Sequence, residues 1–236
     1  MRIAAATALL AGLALSGATR ISAATIRVPA DHPTIQAAIN ATDGDDTVVV
    51  ADGIWTGAGN YDLTLPDTTI VIKSLHGPSV TIIDCEGPDY LDHRAFNLGD
   101  GSIGSARHYE ATIIGFTIRN GIAATGGAIT GGRWHLNLRY CIFETNRATY
   151  GGAIYCESCQ VEIDTCLFNY NLATQSGGAI YGPDSGSVAT SHFSYNSAHT
   201  GGAIADFQRL EIDNCTFSRN TAQYGAVLRP LPGDSV

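Results

Sequence analysis

Apolar and polar residues alternate in three short runs of this chain. Leu136 and Leu138 interleave with Asn137 and Arg139, Val161 and Ile163 with Glu162 and Asp164, and Leu210 and Ile212 with Glu211 and Asp213. A period of two marks a strand with one face buried. The runs share a phase within a longer repeat. Gly-Gly-Ala-Ile begins at Gly126, Gly151, Gly177 and Gly201, with steps of 25, 26 and 24 residues, and Tyr224-Gly225-Ala226-Val227 is a degraded fifth copy. Phe-x-x-Asn falls between these copies, as Phe143/Asn146, Phe168/Asn171, Phe193/Asn196 and Phe217/Asn220. Two positions before each Phe stands Cys141, Cys166, Ser191 or Cys215; two after each Asn stands Ala148, Ala173, Ala198 or Ala222.

Glycine costs about 1 kcal/mol inside a helix, so the glycine pairs belong at bends between short strands. One such coil cannot bury its apolar edge. Successive coils must therefore stack at the strand spacing of about 4.8 Å, each pairing its backbone with the coils on either side. The pattern predicts a parallel β-solenoid in which equal phase means spatial neighbourhood. The phenylalanines should pile up inside the tube. The asparagines should form an amide ladder at a bend, tolerating left-handed backbone angles, and Gly-Gly should supply a positive-φ or close-approach corner.

The first half repeats this plan less regularly. Residues 33–39 place Ile35, Ala38 and Ile39 on one helical face, with Asp31 or His32 as the cap, and this short helix should plug the open end of the solenoid. Val48–Val50, Ile70–Ile72, Thr81–Ile83, Phe96–Leu98 and Ile113–Ile118 follow as strands. Residues 44–236 number 193, room for about eight coils of this repeat length. The expected fold is all-β, a right-handed parallel β-helix of about eight coils with a short N-terminal capping helix. Its expected organisation is one domain over 25–236: a cap at 25–43, coils at 44–228 and a tail at 229–236. Arg2, the apolar stretch Ile3–Leu15 and the small residues up to Ala24 read as a secretory signal over 1–24, too short to span a bilayer.

Composition narrows the function. There are 22 acidic residues against 13 basic ones, a formal charge of −9, and Lys73 is the only lysine. Loss of residues 1–24 removes Arg2 and Arg20 and leaves 11 basic residues, for a charge of −11. Nucleic acid is disfavoured as a partner, because it requires a basic footprint. No second apolar run is long enough to cross a membrane.

These residues resemble the right-handed parallel β-helix repeat proteins of the pectate-lyase-like superfamily. Val28–Ile39, Gly44–Val50 and Ile83–Cys85 are similar to the N-terminal coils of secreted members. The paired Gly-Gly-Ala-Ile and Phe-x-x-Asn motifs resemble the repeats of chlamydial-type polymorphic outer-membrane proteins, and that resemblance implies surface exposure and adhesion. It covers about residues 25–228. The C-terminal membrane β-barrel of that surface family is not read in these 236 residues, and a truncated longer protein is an open alternative.

The chemistry is fainter than the fold. The Gly-His-Gly and Arg-x-Lys pattern of polygalacturonases is missing, and Trp134-His135 lacks the acid of the pectate-lyase Trp-x-Asp-His pattern. Glu162/Asp164 and Glu211/Asp213 project outward two coils apart, about 10 Å by the strand spacing. They are the candidate catalytic carboxylates or a Ca²⁺ site, set against a merely solvated acidic face. Asp92-His93-Arg94 carries acid, base and cation side by side and reads as a loop. Tyr170 and Tyr195 share one phase and Tyr155 and Tyr181 another, forming ladders that either contact sugar rings or a partner, or stabilise the coils by pairing with each other. Cys141, Cys166 and Cys215 share the inward phase as buried small hydrophobes; Cys156 and Cys159 are a local disulfide pair, with a zinc half-site second, and Cys85 has no evident mate. Asn40-Ala-Thr42 and Asn214-Cys-Thr216 are glycosylation sequons. No cofactor or metal motif is present.

The expected function is a secreted or surface, non-catalytic β-helix in adhesion or carbohydrate contact, with a polysaccharide or cell-surface partner and an open oligomeric state. The alternatives are a lyase or glycoside hydrolase of acidic polysaccharide, and a structural envelope component.

Overall fold

The computed structural model describes residues 23–86, 92–99 and 109–230. The expected signal segment up to residue 22 and the tail from residue 231 lie outside the described residues. The chain forms a parallel β-solenoid of about eight coils. Its longest sheet takes eight strands in sequence order, from Thr25–Val28 to Arg209–Asp213; two further sheets have seven strands and a fourth has four. Strands within each sheet pair in parallel, with registers one repeat apart. The first rung, Thr25–Val28, pairs with Thr47–Val50, so the long sheet starts ahead of the helix rather than after it.

Like residues do lie over one another. Phe143, Phe168, Phe193 and Phe217 are register partners, with ring centroids 4.8, 4.6 and 4.9 Å apart and planes within 12°. Those separations are the strand spacing itself. Full burial of Phe143, Phe168 and Phe193 contributes about 1.5 to 3 kcal/mol each, and Phe217 on the last coil is partly buried. The column continues down through Ile118 and Ile83 to Trp55. A second interior column runs Leu63, Phe96, Ile129, Ile154, Ile180, Ile204 and Leu228. Cys141 and Cys166 are buried beside the phenylalanines and Cys215 partly so. Ser191 takes its place in that column by accepting a hydrogen bond from the Cys166 N–H at 3.0 Å.

The asparagines form the ladder that their spacing predicts, with one difference. Each side-chain oxygen accepts two bonds from the preceding asparagine, from its backbone N–H and its Nδ2: Asn146 to Asn171 at 3.2 and 3.1 Å, Asn171 to Asn196 at 3.1 and 3.0 Å, Asn196 to Asn220 at 3.0 and 2.9 Å. Each Nδ2 also donates to a carbonyl one coil back, at Ile118, Phe143, Phe168 and Phe193. The left-handed residue is not the asparagine but the one before it: Thr145, Tyr170, Tyr195 and Arg219 have φ of 56°, 54°, 57° and 54°. Each asparagine is thereby turned inward, where its amide satisfies backbone groups that a bend would otherwise strand. The two glycines of each Gly-Gly divide their work. Gly151 holds φ at 62°, whereas Gly152 has an ordinary φ but a Cβ there would lie 2.2 Å from the Gly178 carbonyl oxygen on the next coil.

A helix at Ile35–Asn40 buries Ile35, Ala38 and Ile39 against the first rungs. Its cap is Thr34, whose hydroxyl accepts from the Ala37 N–H at 3.2 Å, and not Asp31 or His32. The Asp31 carboxylate instead closes the preceding turn on the Arg27 N–H at 2.7 Å.

Replacing Asn171 by Ala leaves buried amide and carbonyl groups of two coils unpaired. The expected cost is about 3 kcal/mol or more, measurable by urea denaturation. A second test concerns Asp84. Burial works against its charge, but bonds from Asn120 Nδ2 and Arg119 Nε, both 2.9 Å, and from the Glu86 N–H at 3.1 Å outweigh that and hold its pKa below the ordinary carboxylate value. A depressed folded pKa gives stability that is complete above the unfolded value, about 3.9, and is lost as pH falls through the folded one. The Tm advantage of the native protein over Asp84→Asn should therefore be largest near neutrality and shrink below about pH 4.

Candidate functional site

Two outward surfaces gather polar or aromatic side chains. The first is the outer face of the long sheet, where period two sends alternate residues to solvent. Glu110, His135 and Gln160 form one column, and Thr112, Asn137, Glu162, Ser187 and Glu211 the next. Asn137 Nδ2 donates to Glu110 Oε1 at 2.8 Å and approaches Thr112 Oγ1 at 3.4 Å. His135 Nε2 lies 3.3 Å from Glu162 Oε1. The acid that His135 lacks along the chain thus arrives from the next coil, diagonally across the register. Trp134 is a core residue, with its indole N–H on the Leu98 carbonyl at 2.8 Å. Asp164 is the register partner of Arg139, and the Ser187 rung separates Glu162 from Glu211. Asp213 is exposed on the last rung of the sheet. No cluster of three or more His, Cys, Asp or Glu side chains suits a metal ion among the described residues.

The second surface belongs to the seven-stranded sheet that carries Ile154–Glu157. There Asn97, Thr130, Tyr155 and Tyr181 follow one another outward in register, and the next rung carries the buried Ala205. Tyr155 and Tyr181 stack with centroids 5.3 Å apart and planes 6° apart, and Tyr150 leans on Tyr181 at 5.2 Å. Stacking covers the face that each ring turns to its neighbour. Below Tyr155 the column changes to the small Thr130 and Asn97, and an open cleft of about 500 Å³ lies there, lined also by Arg133, Glu157 and Ser158. One aromatic face therefore borders a cleft that polar side chains also line. The Tyr155 hydroxyl donates to Glu157 Oε2. Burial first, and then this bond and the Glu157 charge, push the Tyr155 phenol well above its ordinary pKa; burial and Asp206 raise Tyr181.

The remaining candidates serve other ends. Tyr170 and Tyr195 stack at 4.7 Å on the left-handed turn, with Arg219 over Tyr195 at 5.2 Å, so this ladder is closed on one side by a cation. His93 and Arg94 are both bound to Asp62 on the neighbouring coil. His93 Nδ1 lies 2.6 Å from Asp62 Oδ2 and the Arg94 N–H donates to Asp62 Oδ1 at 3.0 Å, which clasps two coils together. Cys156 and Cys159 form the expected disulfide, with Cα atoms 5.5 Å apart. Cys156 sits in the strand Ile154–Glu157, and both cysteines are buried.

Two segments, residues 140–157 and 165–183, match the Chlamydia polymorphic membrane protein (Chlamydia_PMP) repeat. The chain is a parallel β-helix with repeats of this polymorphic membrane protein type. The matched repeats are successive coils, and each contains one phenylalanine, one ladder asparagine, one glycine pair and one tyrosine of the Tyr155/Tyr181 stack. No curated protein and no solved structure matches the chain. No helix among the described residues is long and apolar enough to cross a membrane.

The Tyr155 environment can be tested directly. Replacing Glu157 by Gln removes the carboxylate that favours the neutral phenol, so the Tyr155 pKa should fall toward, without reaching, that of free tyrosine. An ultraviolet pH titration of the two proteins reads this shift.

Proposed function

We propose that this protein is a non-catalytic surface β-helix that binds polysaccharide in the cleft beneath Tyr155. The repeat match supports a cell-surface or outer-membrane setting. The observation that carries the ligand class is the end of the tyrosine stack. Sugar rings present flat C–H faces rimmed by hydroxyls, and they pair with an aromatic face beside side-chain hydrogen-bond groups. Tyr155 supplies the face; Asn97, Thr130, Glu157 and Arg133 supply the groups. An adhesive role follows from a repetitive, elongated body carrying such a cleft.

A panel of neutral and charged polysaccharides immobilised in affinity gels tests the proposal. The protein should be retained without releasing oligosaccharide. Tyr155→Ala should weaken retention by about two- to tenfold, because an aromatic stacking contact is worth about 0.5 to 1.5 kcal/mol and 1.4 kcal/mol is a factor of ten. Thr130→Tyr, which extends the stack into the cleft, should abolish retention while leaving Tm unchanged. Release of sugar from any of these polymers would assign the protein to the lyases or hydrolases instead.

A further inference from the structure

The outer face of the long sheet holds a buried acceptor with nothing to accept from. Asn137 is 6% exposed, and its Oδ1 has no hydrogen-bond partner. Its orientation is determined by its surroundings. Both Nδ2 contacts point to the preceding coil, to Glu110 and Thr112, and a turned amide would set its oxygen against the Glu110 carboxylate. The oxygen therefore faces the following coil, where the register partner of Asn137 is Glu162, another acceptor. Leaving a buried amide oxygen unpaired is costly, and placing it beside a carboxylate adds repulsion. A donor that also carries positive charge removes both penalties.

We propose that Glu110, Asn137 and Glu162, on three successive coils, form a site for a primary ammonium group of an amino-sugar polymer. An ammonium has three N–H donors, of which one meets the Asn137 Oδ1 and another an oxygen of Glu162, while Glu110, bonded to Nδ2, positions the amide with its oxygen toward Glu162. His135 holds only one Glu162 oxygen, at 3.3 Å, and the Glu162 side chain is 49% exposed, so it can swing outward to admit the group. Charge on the face agrees. At the site itself Glu110 and Glu162 flank Asn137, and over the whole face Glu110, Glu162, Asp164, Glu211 and Asp213 stand against Arg27, Lys73, Arg139 and Arg209, a small negative balance that favours a cation. Shape favours a sugar chain over a lysine side chain. Further along the same face lies a shallow depression of about 520 Å³ lined by Gln160, Ser185, Arg209 and Glu211, a flat continuation for further rings. This face is separate from the Tyr155 cleft.

Isothermal titration of the full chain with a glucosamine hexamer, its N-acetylated counterpart and a lysine hexapeptide tests the assignment. The glucosamine hexamer should bind, and acetylation, which removes the charge, should weaken binding at least tenfold. Glu162→Gln should also weaken it at least tenfold. Asn137→Leu should abolish it while raising Tm, because the orphaned acceptor is gone; a merely structural asparagine would lower Tm instead. Tyr155→Ala should leave this binding intact, so the cleft and this site stand or fall separately. Equal binding of the acetylated hexamer, equal or tighter binding of the lysine peptide, or indifference to both the Glu162 and Asn137 changes would overturn the proposal.

Discussion

Everything in this molecule depends on coils stacking in register, so that each residue type meets its own kind one strand spacing away. The buried asparagine ladder is where that constraint is most exacting. A sharp bend leaves backbone donors and acceptors without strand partners, and in the interior no water can satisfy them. From Asn146 to Asn196 each ladder asparagine gives two bonds to the asparagine ahead, one from its backbone N–H and one from Nδ2, and every Nδ2 through Asn220 gives one to the coil behind. A shift of one residue anywhere would break several of these bonds at once and turn the phenylalanine column to solvent. The ladder makes the register unique, and the apolar columns make it stable.

A rigid register determines what the surface can be. Outward positions stand in columns at strand spacing, so chemistry arises from neighbours in adjacent coils rather than along the chain. The His135–Glu162 pair, the Asp62 clasp on His93 and Arg94, and the Asp84 bonds to Arg119 and Asn120 all join different coils. Irregularity in a column has equal value. Where tyrosine gives way to Thr130, and where the short side chain of Ser185 stands between Gln160 and Arg209 on the long sheet, the surface acquires concavity. A perfect repeat would be a smooth rod, and departures from the repeat are what give it sites.

The phase of the repeat was legible because identical residues recur at identical intervals. Phe143, Phe168 and Phe193 could be placed in one interior column from spacing alone, and so could the tyrosine stacks and the Cys156–Cys159 bridge. Local detail was less legible. Asp31 looks as good a helix cap as Thr34, because both residue types accept from free N–H groups, and only the path of the chain decides. The asparagines were expected to carry the left-handed angles themselves. Their neighbours do so, even the tyrosines, because burial of the amide outweighs the modest cost of a positive φ in a non-glycine residue.

The sequence by itself determined the architecture: strands of one buried face, bends at glycine pairs, and a repeat that can bury its edge only by stacking on copies of itself. Tertiary structure decided which side chains meet across coils, because coil lengths of 24 to 26 residues and a bulge or insertion in any one of them reset the lateral register. Asn137 and Glu162 are 25 residues apart and become neighbours; Glu162 and Glu211 look paired in sequence and are kept apart by Ser187. Periodicity is a property of the chain, whereas adjacency between coils belongs to the folded tube.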